Sequence, residues 1–339
     1  MSTSKRKKLS DSSDLLALLP LEIYQLIIPR ISKTDLVNCS STSRSHRRKL
    51  EGNCFQECKI PWDAIDTFLE SSLDKSQCEQ VRLYLSTNLT NSKKAEWNDL
   101  YKLLSKLKEL RSLVLETSSS SIFLKYQPLD EKQTGKVADL SLVSQFRFAK
   151  FEISHLRCFP QISSLSLQNF QICKDMFDFQ DYRFPNLTSL QLANCTWEFP
   201  VGLHLIFPCK LQKLVIQLDD SHSNFTLSER FLSLLKFHKD RTCNEEYYSH
   251  LKHLEIEVKG KYQPFCNWLQ APCAGLTTLK LLGWKLNSLG DLDAVFKDKF
   301  PNLEMLEMSI SNEMDLARCR SKLQRLLPEA RIKLRVSDA

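Results

Sequence analysis

The tetrapeptide Phe-Pro-Asn-Leu occurs twice, at residues 184–187 and 300–303, and both copies open the same longer phrase. The first continues as Leu187-x-x-Leu190-x-Leu192, the second as Leu303-x-x-Leu306-x-Met308. The frame recurs from Leu110, Val137, Ile162, Leu211, Leu251 and Leu276. That makes eight units, whose starts lie 27, 25, 25, 24, 40, 25 and 27 residues apart. One such frame says little in a leucine-rich chain; the steady period is the constraint. Its fourth and sixth positions fall on the same side of a short strand, and the first apolar residue enters the core just before it. A single unit has too little apolar surface to fold alone, so neighbours must stack and share one core.

A period of about 20–29 residues with this frame reads as leucine-rich repeats. Proline in the recurring phrase ends the preceding element, because it lacks the N–H that a helix needs. Phe and Leu on either side belong to the core. Helices are expected between strands: Leu289–Phe300 sets Leu292, Val295 and Phe296 on one face, and Leu227–Lys239 does likewise with Phe231, Leu232, Leu234 and Leu235. The 40-residue interval holds an insertion at 219–250. The Asn/Cys position that usually follows the strand is filled in the expected way only by Cys195, so the repeats are irregular. The expected fold class is α/β, a solenoid of about eight parallel strands across 110–333. Residues 61–109 are read as a helical linker, with helices around "DAIDTFLESS" and "WNDLYKLLSKLKEL" and a capping strand from Val81.

Residues 15–60 lack the frame. Leu19, Ile23, Leu26 and Ile27 share a helical face, and Pro20 suits a first helical turn. Ser32-x-x-Asp35 has the form of a capping box for a second helix, and a short basic helix with Arg47, Arg48 and Leu50 would follow. With its Leu19-Pro20, Glu22, the aliphatic Ile23, Ile27 and Ile31, Asp35-Leu36 and Ser43-Arg44, the stretch resembles an F-box. The pairing of an F-box with leucine-rich repeats, in this order, is one the family uses. The resemblance implies a three-helix module docked on the adaptor subunit of a cullin–RING ubiquitin ligase of the SCF type. Contacts would run through Leu19, Pro20, Ile23, Ile27, Ile31 and Leu36. It further implies a protein that is not itself an enzyme, with the ligase adaptor, the cullin scaffold and a protein substrate as partners. The same aliphatic residues would equally serve an internal core, in which case the chain is a repeat scaffold without a ligase role.

A substrate would meet the strand positions that alternate with the apolar ones. The candidates are Gln168, Gln191, Lys213, Gln217, His253, Glu255, Lys280 and Glu307. The middle strands offer small neutral residues there, and acidic residues gather at the sixth frame. No single sign of charge runs along this strip, which suits a protein better than a phosphate-rich ligand.

Charge distribution narrows the partners further. The formal net charge is +7, of which residues 1–60 carry +5 (eleven Lys/Arg against six Asp/Glu). The remaining chain is nearly balanced, so it lacks the basic stripe expected of a nucleic-acid binder. No run of 18 or more apolar residues occurs, so no membrane span is expected. The first fourteen residues read as a basic tail without the apolar core of a secretory signal. Its Ser4–Lys8 run has the composition of a nuclear import tag. Twelve cysteines without a CxxC pair, in a chain lacking such a signal, point to a reduced nuclear or cytoplasmic setting and to ordinary core thiols. Oxidative disulfides would instead favour a secreted repeat receptor. No GxGxxG, Walker-type, GxSxG or HExxH motif is present, so neither cofactor nor metal is expected.

Overall fold

The computed structural model describes residues 57–71, 75, 78–84, 97–117, 136–153, 156, 159–173, 184–197, 210–219, 249–259, 273–284, 288–310 and 315–336. Within the N-terminal stretch it describes Ile23, Ile27, Arg30, Ile31, Ser32, Asp35 and Asn38. The strands are β1 (Glu57–Pro61), β2 (Gln80–Tyr84), β3 (Ser112–Thr117), β4 (Asp139–Ser144), β5 (Ala149–Glu152), β6 (Ser164–Gln168) and β7 (Phe170–Cys173). They continue as β8 (Ser189–Ala193), β9 (Thr196–Trp197), β10 (Lys213–Asp219), β11 (His253–Lys259), β12 (Thr278–Leu282), β13 (Met305–Ile310) and β14 (Arg331–Val336). The protein is α/β. Eleven strands form one sheet in the order β1-β2-β3-β4-β6-β8-β10-β11-β12-β13-β14, every pair parallel and the order ascending along the chain.

All twenty-four apolar frame positions are buried. Their registers coincide: Leu113, Leu140, Leu165, Leu190, Leu214, Leu254, Leu279 and Leu306 stand side by side across eight strands. Each fully buried leucine is worth about 1.5–3 kcal/mol relative to an exposed one. An exposed ion pair is worth about 0–1 kcal/mol, so this apolar spine, not surface charge, holds the sheet.

The sheet has eleven strands where the frame predicted about eight. The extra three are β1, β2 and β14. β2 carries the frame with a cysteine at its first position (Cys78-x-x-Val81-x-Leu83), and all three of those residues are buried. β14 places Ile332 and Leu334 beside Leu306 and Met308, but begins its frame with Glu329. A search for aliphatic triplets passes over both, although β2 falls where a capping strand was expected from Val81. The sheet therefore begins at Glu57, inside the stretch assigned to the N-terminal module, and runs past residue 333.

The recurring phrase is a β-turn rather than a helix stop. Leu187 N–H donates to the Phe184 carbonyl (3.2 Å) and Leu303 N–H to that of Phe300 (3.3 Å). Its apolar ends are buried and its Pro-Asn centre is exposed. The same turn closes at Phe159–Ile162 and Cys273–Leu276.

After the strands, the chain turns through left-handed backbone at one fixed frame position: Asn169 (φ 66°), Asn194 (φ 52°) and Gly283 (φ 76°). Asparagine tolerates this region, and its amide links the repeats. Asn169 Nδ2 donates to the Ser144 carbonyl (2.7 Å), Asn194 Nδ2 to Asn169 Oδ1 (3.3 Å), and the Asp219 N–H to Asn194 Oδ1 (2.8 Å). The asparagine ladder thus lies one residue before the expected position. Cys195 and Trp284, at the expected position, still bond backwards to the carbonyls of Leu167 (3.3 Å) and Ile256 (3.3 Å).

After β4, β6 and β8 the chain enters not helices but β5, β7 and β9, which form a second parallel sheet. Four α-helices are described: α1 (Ile65–Glu70), α2 (Trp97–Lys106), α3 (Leu289–Phe296) and α4 (Leu316–Leu326). α1 and α2 fall where the linker reading put them. α3 buries Leu292, Val295 and Phe296 as its periodicity required, and Ser288 N–H donates to the Asp291 carboxylate at its start (3.0 Å). The tail at 1–14, the third N-terminal helix, the helix expected over 227–239 and the body of the 219–250 insertion lie outside the described residues.

Candidate binding face

The apolar positions of each strand face the core, so the alternating positions form a second, half-exposed face. Register fixes its central row: Lys59, Arg82, Val114, Ser141, Ser166, Gln191, Val215, Glu255, Lys280, Glu307 and Lys333. The middle is a low floor of serines, joined by Ser164 and Ser189 in the neighbouring row. Arg82 bonds Glu116 at one end through Nε (2.6 Å). The other end holds most of the charge.

The structure brings the sequence-predicted residues together in two groups. Gln191 Nε2 donates to Gln217 Oε1 (3.2 Å), and Gln217 Nε2 to Glu257 Oε2 (3.0 Å), whose other oxygen lies 3.1 Å from Lys259 Nζ. Gln168 stands in register with Ala193 and Gln217 in this row. In the central row Lys280 Nζ lies 2.9 Å from Glu255 Oε2, and His253 Nε2 lies 3.4 Å from the same oxygen. Lys213, in register with His253, is exposed.

Glu307 is the exception among the predicted contacts. It is 5 % exposed and lies beneath Lys333 Nζ (3.2 Å) and the Arg335 guanidinium. Its carboxylate is held between those two cations. Lys333, Arg335 and Arg331 were missed because β14 lacks the leading leucine. Their alternation in "RIKLRV" was the available signal. On the face of β10 to β14, six Lys/Arg stand against four carboxylates, and β14 itself carries three of the cations and no carboxylate, so the last strand is more basic than the frame alone indicated.

Burial pushes the His253 imidazole below its ordinary value. Glu255 partly offsets this, while Lys213 and Lys280 add to the lowering. Burial works against the Glu255 carboxylate, yet Lys280 and His253 outweigh it and hold its carboxyl below the usual value. A His that is lowered in the fold is protonated more readily in the unfolded chain. Its contribution is therefore complete above its ordinary value of 6.5 and is lost as pH falls from there toward the folded value. Urea midpoints are expected to drop between pH 7.5 and 5.5, and the drop to shrink in His253→Gln. Glu255 does not interfere, because its unfolded value of 4.5 lies lower still. An equal drop in both proteins would rule His253 out.

Of the N-terminal candidates, Ile23 is 39 % exposed and Ile27 and Ile31 are partly covered. Ile23, Ile27, Asp35 and Asn38 are helical, with Arg30 in a 3₁₀ turn and Ile31 in a bend between. Ser32 Oγ accepts from the Asp35 N–H (3.2 Å), one half of the capping box that the sequence indicated, and its hydroxyl donates to the Asp35 carboxylate (2.6 Å). Leu19, Pro20 and Leu36 lie outside the described residues.

The six described cysteines are buried. Cys58 and Cys78 meet at 3.6 Å, and this contact together with burial pushes the Cys78 thiol up. Burial also raises Cys195 to about 12 and Cys273 to about 11. Such thiols remain protonated and inert. Among the described residues no His/Cys/Asp/Glu cluster could hold a metal ion, and no helix is long and apolar enough to cross a membrane. No family model matches the chain, and no curated protein matches its sequence.

Proposed function

We propose that this chain is the substrate-recognition subunit of an SCF-type ubiquitin ligase, an F-box followed by leucine-rich repeats, working in the nucleus or cytoplasm. It performs no chemistry itself. The N-terminal helices hold the ligase adaptor and through it the cullin. The half-exposed face of the sheet holds a protein. Tethering the two raises the effective concentration of the target's lysines near the ligase.

The observation that carries this reading is the state of the N-terminal aliphatic residues. Ile23 is exposed, and neither Ile27 nor Ile31 is buried by the chain's own fold. Aliphatic side chains left uncovered in this way suit an apolar groove on a partner. A parallel sheet with one strand per frame, later in the chain, fits the repeat half of the proposal.

The test is affinity capture with the full chain and with a chain lacking residues 1–50, a cut that spares β1. The adaptor and cullin are expected with the full chain only, while proteins held by the sheet are retained by both. Adaptor capture that survives the cut would leave a repeat scaffold without a ligase role.

A further inference from the structure

The sheet stops at β14, which among the described residues has β13 as its one strand neighbour. Arg331 N–H donates to the Glu304 carbonyl (2.7 Å), so Arg331, Lys333 and Arg335 turn their backbone groups toward β13. Backbone direction alternates along a strand. The N–H and C=O groups of Ile332, Leu334 and Val336 therefore point out from the open edge. A six-residue edge of this kind is a template for another strand.

The side chains say what that strand would carry. Glu255, Lys280, Glu307 and Lys333 share one register across β11 to β14, and their signs strictly alternate. The rungs are made: Lys280 to Glu255 at 2.9 Å and Lys333 to Glu307 at 3.2 Å. The next place in the row, just beyond β14, calls for a carboxylate. Arg331 is exposed in the row on one side. Lys333 and Arg335 keep 58 % and 54 % of their side chains exposed while holding Glu307. On the opposite face Ile332 and Leu334 are only partly covered and Val336 is 44 % exposed.

We infer that the outer edge of β14 receives an extended segment of a partner protein, acidic at alternate positions and apolar between them, as a twelfth strand. Main-chain bonds to Ile332 and Leu334 supply affinity, and carboxylates beside Arg331, Lys333 and Arg335 supply selectivity. Charge opposes pairing with a second copy of this chain, because two β14 edges would set cation against cation. A nucleic acid is a poorer fit, since two of the three cations are already neutralised in part by Glu307. This inference does not rest on the ligase reading and survives its failure.

The experiment uses the full chain and a fluorescein-labelled peptide, acetyl-Glu-Val-Glu-Leu-Glu-Thr-amide. Saturable anisotropy binding is expected, weakened by salt and at least tenfold tighter than for the same peptide with lysine in place of glutamate, roughly one full charge-pattern reversal. Arg331→Glu should loosen it about fivefold, as the reversal of one exposed pair would. The exchange of the Ile332 and Leu334 amide hydrogens should slow on binding, and a peptide N-methylated on alternate backbone nitrogens should not bind. Equal binding of the methylated peptide, or unslowed exchange at those amides, would show loose electrostatic attachment and overturn strand addition. Preference for a single-stranded oligonucleotide, or no saturation by about 1 mM, would overturn it as well.

Discussion

Gly283→Ala is expected to lower the urea midpoint more than any other single-methyl change in the sheet. Gly283 leaves β12 with φ 76°, and a Cβ there would sit 1.7 Å from the Val258 carbonyl oxygen and 2.8 Å from its carbon. Left-handed backbone costs a non-glycine residue about 1–2 kcal/mol. The collision adds to that, because the obstacle is backbone of β11, which cannot step aside without disturbing its seven-residue pairing with β10 or its pairing with β12. The total is expected to reach at least about 3 kcal/mol, near the top of the range for point changes. Gly283→Asn separates the two causes. Asparagine occupies the same frame position at 169 and 194 with similar φ, so conformation alone would leave Gly283→Asn mild. Crowding by Val258 makes it as harmful as alanine. A Gly283→Ala protein with an unchanged midpoint and slope would refute the close approach of β12 to Val258.

Ile27→Asp is the second large effect, this time on binding. An aliphatic side chain fully buried in a partner groove contributes about 1.5–3 kcal/mol. Replacing it with a carboxylate adds the cost of removing that charge from water. Adaptor affinity is expected to fall at least about a hundredfold, the equivalent of roughly 2.7 kcal/mol. The unfolding transition of the sheet should stay where it was, since Ile27 is only partly covered in the free chain. Ile23→Asp, at the more exposed position, should act in the same direction. Undiminished adaptor binding in both variants would remove the N-terminal helices from the proposed contact. An unfolded sheet in Ile27→Asp would instead make that residue part of the internal core.

Parts of this molecule follow directly from its sequence. A 25-residue period with alternating apolar residues permits one arrangement, strands stacked in register, because only then does every frame leucine leave water. The burial of Leu190, Leu192 and their counterparts needed nothing more. The start of α3 and the Ser32–Asp35 contact were legible for a similar reason: both are local, settled within three residues. Other features were decided by tertiary structure. Cys78 takes a leucine's place because its neighbours already form a core that accepts any small apolar group. Glu307 is a charged residue on a face expected to be open, and it is covered because Lys333 and Arg335 arrive from a strand 26 residues on. The cross-strand pairs on that face join residues 25 or more positions apart, so no local pattern reports them. Whether a polar side chain is buried, or a cation held, depends on what stands beside it in the next strand, and register sets that only once the sheet has formed.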